Sequence, residues 1–423
     1  MSAPTSQTTP QIVQTTTAGQ STSNQLEVPA QIIGQKRPRE HDILSAIPAK
    51  KTTRTHPLVR VGRHFTRTVQ AFCDIHELIR EAMDRNAATK NGVPDEVVFG
   101  PEFNPDGTPN EDTRKTRREH EIYGQLLALM STLEASLCNC STPEDLAHVA
   151  SLLSKGAQGA RADDTKSLKT NVLDWITPRG VALTPPIPRN GKAERGFNHY
   201  WTGKLLCPAL LDWEDEETRK SLAGGLTVPG EHWPMFVYRD YKFNPEDVWE
   251  GLFRSNILVS AFKHTFTSPS SVDQATKATR SCNAHLNGMK KVTRGSIAYI
   301  ATQVRFALSS NTTLSKQEVA TDSESFYASV MNFFELEEEQ EDVEELLKWW
   351  NGQVFPRHHP EEAAAVRDIS TIPQIPSIVM LAKSQREAKK RKALAEKTNQ
   401  NANNAATSGP SGYNPSSSGG KEN

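Results

Sequence analysis

The sequence has few apolar residues and no long apolar run. Hydrophobic residues make up 36% of the 423-residue chain, below the roughly 45–50% of compact domains. No run of about 18 apolar residues predicts a transmembrane helix, and the Ser/Thr/Gln-rich start lacks the apolar segment of a secretory signal. Five cysteines without a C-x-x-C pair match neither a disulfide scaffold nor common structural zinc sites. We therefore expect a reducing compartment, no membrane association, and a normal core diluted by polar tails.

The fold class is predicted to be mainly α, with a single multi-helix domain between disordered tails. Apolar residues recur at helical spacing through most of 58–358. The middle, 178–234, is irregular and punctuated by prolines, and 236–238 is its best candidate strand. The tails have too few apolar residues to offset the entropy of ordering them. The predicted segments are a disordered basic tail (1–57), the helical domain (58–358), a linker (359–382), a basic helical segment (383–398) and a disordered tail (399–423).

Periodicity and capping residues place the individual helices. Thr142 predicts an N-cap, with Pro143 at the first helical position, and Gly156 is the expected stop. A further helix is expected to begin near Asp163, because acidic residues favour helix N-termini. The other predicted helices cover 61–83 and 122–137, and begin near Asn244, Thr293 and Asp322, with a last one ending at Gly352.

The net charge of −1 results from opposed blocks. Residues 251–317 contain nine basic residues and one acidic residue, whereas 318–347 contain eleven acidic residues and no basic one. Both tails are basic. Each block therefore needs its own interpretation.

The basic block predicts contact with a polyanion. Asparagines and Gly288 lie between its cations, as in loops that meet phosphate oxygens. The predicted contact residues are Lys277, Arg280, Lys290, Lys291, Arg294 and Arg305. Two alternatives stay open: the block pairs internally with 318–347, or the acidic segment shields it until a polyanion displaces that segment.

Basic clusters in both tails predict nuclear import. The N-terminal cluster has bipartite spacing and the C-terminal cluster is a single run. Their residues are Lys36, Arg37, Lys50, Lys51 and Arg54, and Lys389, Lys390, Arg391 and Lys392. We therefore expect a nuclear protein that meets an import receptor.

Other candidate chemistry is weaker. Cationic and aromatic residues alternate over 189–204, either to stack bases or, as we prefer, to fill the core. Cys282 with His285, and the pair His358 and His359, lack the partners of a metal site. The carboxylates at 163–164 and 212–217 are better explained by helix N-termini than by a two-metal nuclease. The adjacent Trp349 and Trp350 are both expected in the core, and the alternative is that one of them anchors a partner. No cofactor is predicted.

Several short segments resemble one known family. They are ARADDTKSLK (160–169), DWITP (174–178), RGF (195–197), LLCP (205–208), GLFRS (251–255), TSPSS (267–271), KATRS (277–281), RFALSS (305–310), WWN (349–351) and FP (355–356). Together they resemble an uncharacterised domain family expanded in mushroom-forming basidiomycete fungi, over about 58–358. The resemblance implies no activity or cofactor. Its members often have glycine where this chain has Cys282, which argues against a nucleophilic role there.

These observations favour a nuclear binding protein that contacts nucleic acid or a nuclear partner through 274–317. The alternative is a protein–protein scaffold without nucleic-acid contact. A divergent enzyme associated with mobile elements is third.

Overall fold

Helices account for most of the described residues. The computed structural model describes residues 56–177, 182–226, 228–267, 282–314 and 322–370. This part of the chain contains fourteen α-helices and no β-strand, which confirms the mainly α fold class. Apart from residues 56 and 57, both predicted tails lie outside the described residues, as do their basic clusters.

The helices are α1 (Pro57–Thr68), α2 (Ile75–Lys90), α3 (Asp95–Val98), α4 (Glu111–Ala128), α5 (Leu133–Cys138), α6 (Pro143–Ile176), α7 (Tyr200–Leu206), α8 (Glu216–Ala223), α9 (Asn256–Phe262), α10 (Asn283–Leu286), α11 (Arg294–Leu308), α12 (Asp322–Glu335), α13 (Gln340–Val354) and α14 (Pro360–Ser370). Short 3-10 turns and one π turn (Lys263–Thr267) connect some of them. Within the part described, no helix has the length and apolar character needed to cross a membrane.

The long helix α6 packs closely against α1. A Cβ on Gly62 would lie 1.9 Å from the Leu153 carbonyl oxygen, and one on Gly156 would lie 2.1 Å from that of Val59. The prediction that a helix stops at Gly156 was wrong, because this glycine admits the backbone of α1 in mid-helix. The Thr142 N-cap is confirmed, with a reciprocal capping box to Asp145.

Helix α11 forms the centre of the core. All its residues from Gly295 to Leu308 are buried, and it contacts α1, α6, α9 and α12. A helix that is apolar around its whole circumference is buried on every side. Its predicted start is confirmed, because the Thr293 side chain caps the backbone N–H of Ser296.

Two predicted helices are each broken in two. The expected helix at 61–83 ends at Thr68 and restarts at Ile75, where Asp74 caps the backbone N–H groups of His76 and Glu77. Tertiary bonds occupy the break, since the Ala71 N–H donates to the Tyr327 hydroxyl. The expected helix at 122–137 is likewise divided between α4 and α5.

The middle of the domain is irregular, as expected, but its details differ. The candidate strand at 236–238 instead contributes to a 3-10 turn, with one isolated bridge from Tyr238 to Leu252. The helix expected near Asn244 is a turn in which this side chain accepts from the Glu246 N–H. Helix α9 begins only at Asn256.

The adjacent Trp349 and Trp350 lie in different environments. Trp350 is fully buried and donates through Nε1 to the Phe253 carbonyl, 3.1 Å away. Trp349 is partly buried and lies beneath the Arg239 guanidinium. The expected core role is therefore confirmed for Trp350, whereas Trp349 is only partly buried against the core.

Candidate functional site

The six predicted contact residues do not share one environment. Lys277 and Arg280 lie outside the described residues. Lys290 and Lys291 are exposed in the loop between α10 and α11. Arg294 is half-buried and donates to Gln340 Oε1 at 2.5 Å.

Arg305 is buried rather than displayed. Its side chain is 10% exposed, pairs with Asp322 at 2.5 Å and lies over the Phe326 ring. The physical reason is its position on α11, every face of which is covered. Arg305 is thus unavailable to an outside polyanion, and internal pairing with the acidic block describes this residue better.

The exposed lysines lie in a loop held against a distant turn. We call residues 287–292 the basic loop and residues 355–359 the adjoining turn. The His359 Nε2–H donates to the Lys290 carbonyl at 2.9 Å. The Val292 N–H donates to Asn351 Oδ1 at 2.7 Å, just before that turn. Two segments far apart in sequence therefore meet here.

This contact brings the adjoining turn, which carries further polar side chains, to the basic loop. Arg357 and His358 are both exposed in the adjoining turn. We define the basic surface as Lys290, Lys291, Arg357 and His358. Sequence reasoning considered His358 and His359 only as metal ligands and overlooked Arg357, because no sequence signal links 357 to 290.

Two carboxylates of the acidic block pair with cations that lie outside the basic surface. Glu335 pairs with Arg118 at 2.9 Å, and Glu345 pairs with Arg254 at 3.2 Å. Burial raises the pKa of Glu335, although the nearby guanidinium of Arg118 opposes that shift. Among the described residues, Lys290, Lys291 and Arg357 take part in no such pair.

The second cationic cluster, at 189–204, is largely built into the core. Arg195 is fully buried and donates to the carbonyls of Lys169 at 2.8 Å and Ala307 at 2.7 Å. Lys192 donates to the Phe306 and Asn311 carbonyls. Both cations satisfy carbonyls at the C-terminus of α11, where positive charge is favourable. Burial lowers the pKa of Arg195 to about 10 and that of Lys192 to about 7.

The aromatic residues of this cluster support the same interpretation. Phe197 lies 6.2 Å from Trp213, between ring centroids. His199 is buried, accepts from the Trp201 N–H and donates to the Pro185 carbonyl. These rings fill the interior, so the geometry favours the core explanation over base stacking.

The carboxylates considered for a nuclease have structural roles. Asp164 lies in mid-α6, so its predicted place at a helix start was wrong. It accepts two 2.7 Å bonds from Arg67 and one of 2.7 Å from Tyr299. Asp215, in contrast, caps α8 as expected. In the described ranges, no group of three or more His, Cys, Asp or Glu side chains is placed to hold a metal ion.

Sequence reasoning missed one contact between a hydroxyl and an imidazole. Ser167 Oγ lies 2.6 Å from His264 Nε2, and His264 belongs to the π turn. Burial lowers the pKa of His264, so the neutral ring can accept from the hydroxyl. Within the described residues, no carboxylate hydrogen-bonds to His264 to orient it, as nucleophile–base pairs require.

Part of the chain matches a family model. Residues 155–355 match the model of a family of unknown function (DUF6698), so the expected resemblance to an uncharacterised domain family is confirmed over this range. The match includes α11 and the basic loop but ends before Arg357 and His359. No curated protein and no solved structure matches the chain.

Proposed function

We propose that this chain is a nuclear binding protein that contacts nucleic-acid phosphates through the basic surface. The observation that supports the proposal is the junction of two loops, which gathers exposed Lys290, Lys291 and Arg357 without an ion pair among the described residues. Lysine and arginine side chains on loops supply the phosphate contacts that position proteins on nucleic acid without reading sequence. We therefore expect binding with little base preference.

The number of exposed cations predicts how steeply duplex binding should depend on salt concentration. Each phosphate contact releases about one counterion, so log K falls with log salt by about 0.9 for each contact on duplex DNA. Three cations at the basic surface should therefore contribute about 2–3 to the salt slope. Basic tail clusters would add to the slope of the full chain, so the test must compare variants.

Fluorescence anisotropy of the full chain with a labelled 20-base-pair duplex, at several salt concentrations, tests the proposal. The variant combines Lys290→Ala, Lys291→Ala and Arg357→Ala. Its matched control removes three exposed lysines from α2, α4 and α6: Lys90→Ala, Lys115→Ala and Lys166→Ala. The first variant should reduce the salt slope by about 2–3, and the control should change it by much less. Equal changes in both would overturn the proposal.

The nucleus is the proposed compartment, because the basic clusters in the two tails have the spacing of import signals. A fluorescent fusion should become diffuse only when both clusters are neutralised. Exclusion of the unaltered fusion from nuclei would contradict this assignment.

A protein–protein scaffold is the second candidate. It is favoured by large apolar side chains at the surface, of which Leu210 is 76%, Val97 72% and Phe103 60% exposed. Since single exposed apolar residues are common on monomers, this observation carries less weight than the basic surface. Absence of any salt-dependent duplex binding would favour the scaffold.

A further inference from the structure

A group of partly exposed apolar side chains lies where α12 ends. The Phe333 ring packs against Trp233 at 4.9 Å and against Trp249 at 5.2 Å, between ring centroids. All three rings are only partly buried. Leu336, which follows α12, is 46% exposed, and Val248, the neighbour of Trp249, is 45% exposed. We call these five residues the aromatic patch. Apolar residues exposed singly are normal on a protein surface, but here five are gathered.

Hydrogen bonds hold the tryptophans of the aromatic patch in place. The Trp249 Nε1–H donates to Glu339 Oε2 at 2.5 Å, which joins the turn before Gly251 to the segment between α12 and α13. The Trp233 Nε1–H donates to the Ser329 hydroxyl of α12 at 3.0 Å. Both indole N–H groups are therefore satisfied within the fold, and the exposed part of each ring offers an apolar surface.

Carboxylates border the aromatic patch. Glu337, Glu338 and Glu341 follow the patch along the chain, and all three are exposed. We call these three residues the acidic rim. Their neighbours Glu335 and Glu345 pair with arginines, whereas the acidic rim forms no ion pair among the described residues. Because exposed apolar patches with polar rims mark interaction sites, this surface fits a segment that carries apolar side chains next to lysines and arginines.

The chain itself contains a segment with this chemistry. Residues 378–382 are Ile-Val-Met-Leu-Ala, and residues 383–392 contain six basic residues and one acidic residue. We call residues 378–392 the docking segment, which lies outside the described residues. Its apolar part matches the aromatic patch and its charge is opposite to that of the acidic rim, so both features indicate the same occupant.

Helix α14 brings the chain within reach of the aromatic patch. Helices α13 and α14 pack together and are joined by residues 355–359, a connection typical of antiparallel helix pairs. They approach closely at Gly352, where an added Cβ would lie 2.5 Å from the Glu362 carbonyl oxygen. Helix α14 is about 16 Å long and therefore runs back toward the start of α13, which adjoins the acidic rim. Residues 371–377 then span at most about 25 Å before the docking segment begins.

We propose that the aromatic patch and the acidic rim bind the docking segment of the same chain. Residues 378–382 lie against the exposed rings, and the basic residues that follow pair with the acidic rim. Because the docking segment is tethered, its effective concentration at the patch is of the order of millimolar, so weak contacts are enough to hold it. The proposal is independent of the proposed function, since it concerns a different surface and needs no nucleic acid.

Cross-linking of the full chain with a carbodiimide, which joins lysine amines directly to carboxylates, tests the pairing. An equal mixture of isotopically light and heavy protein lets mass spectrometry separate links within one chain from links between two chains. The lysines of the docking segment should link to the acidic rim within one chain. Links between light and heavy chains would overturn the proposal, because the occupant would then belong to a second copy.

Substitutions in the aromatic patch separate docking from a general attraction between opposite charges. The patch variant combines Val248→Ser with Leu336→Ser. Its matched control combines Val97→Ser with Leu210→Ser, which are exposed elsewhere on the surface. The patch variant should reduce the links to the acidic rim severalfold, because it removes apolar contacts, and the control should leave them unchanged. Equal yields in both variants would overturn the docking.

Trypsin cleavage within the docking segment measures how strongly it is held, because a docked segment must be released before it is cut. The rim variant replaces the three carboxylates of the acidic rim with glutamine. Its matched control replaces three exposed glutamates of α3, α4 and α5: Glu96→Gln, Glu121→Gln and Glu134→Gln. The rim variant should be cut roughly fivefold faster, the order expected for three weak surface ion pairs, and the control at the unaltered rate. Equal rates in all three proteins would overturn the proposal and leave the aromatic patch open to another partner.

Discussion

The buried ion pair between α1 and α6 gives the sharpest stability prediction. The Arg67 side chain is 3% exposed and that of Asp164 is 8% exposed. Burial acts to lower the pKa of Arg67, but Asp164 more than offsets it and the pKa is raised overall. Asp164→Asn keeps the shape of the side chain but leaves the guanidinium charged and without its hydrogen-bonded carboxylate. Breaking a buried pair in this way typically costs about 3–5 kcal/mol, a large part of the roughly 5–15 kcal/mol that stabilises a domain.

A second pair on the same helix provides the control. Asp174 pairs with Arg189, but their side chains are 50% and 56% exposed. Asp174→Asn should therefore cost about 0–1 kcal/mol. Urea unfolding followed by circular dichroism at pH 7 measures both free energies. Replacing both buried partners, with Arg67→Met and Asp164→Leu together, should destabilise less than Asp164→Asn alone. A loss for Asp164→Asn no larger than that for Asp174→Asn would refute the reasoning.

Two further predictions concern α1 and α6. Gly156→Ala should cost about 1–3 kcal/mol by overpacking, because its Cβ would lie 2.1 Å from the Val59 carbonyl, whereas Gly159→Ala meets only a flexible Arg63 side chain and should be neutral or stabilising; equal urea midpoints would contradict this. Burial, with a smaller contribution from Arg67, lowers the pKa of His64 to about 4. In the unfolded chain, histidine binds its proton near pH 6.5. Below that pH the unfolded state therefore holds more protons than the folded state, and the folded state becomes less stable as the pH is lowered. Between pH 7 and 5 the unaltered chain should therefore lose about 2 kcal/mol more than His64→Gln, and parallel losses would contradict the assignment.

Two threonine N-caps could be predicted from local signals in the sequence. Thr142 and Thr293 were predicted as caps, and each binds a backbone N–H three residues along. Such a bond depends only on neighbouring residues, so composition is enough to predict it. The mainly helical class followed from periodicity for the same reason.

The failures depend on partners far away in sequence. Gly156 is a residue type that often ends helices, but here it lies within α6 and allows the backbone of α1 to pack closely. Asp164 is a residue type that favours helix starts, but here it is buried within α6 and accepts hydrogen bonds from Arg67 and Tyr299. Tertiary contacts override local propensity in both cases, and no pattern within a short window contains them.

In the basic block, too, some environments could be predicted from local sequence and one could not. Exposure of Lys290 and Lys291 fits the turn chemistry of Asn287 and Gly288, whose φ of 65° favours glycine. Burial of Arg305 had a visible signal, because apolar residues occupy all faces of α11. The contribution of Arg357 had none, since only the fold brings it to the basic loop.

The contacts of the acidic block leave Lys290 and Lys291 of the basic loop exposed to solvent. Glu335 pairs with Arg118, Glu345 pairs with Arg254, and Glu339 accepts from Trp249 Nε1, so none of these three carboxylates contacts the basic loop. Among the described residues, two ion pairs join the basic block to the acidic block, namely Arg305 with Asp322 and Arg254 with Glu345. Internal neutralisation is therefore partial: it ties α11 to α12 and leaves the loop lysines in water. Neutralising the paired carboxylates Asp322, Glu335 and Glu345 by substitution should consequently loosen the contacts of α12 and α13 with the rest of the domain, and should change duplex affinity only through long-range charge. If such variants instead exposed a new, salt-sensitive duplex-binding site while stability stayed constant, shielding by the acidic segment would be the better account.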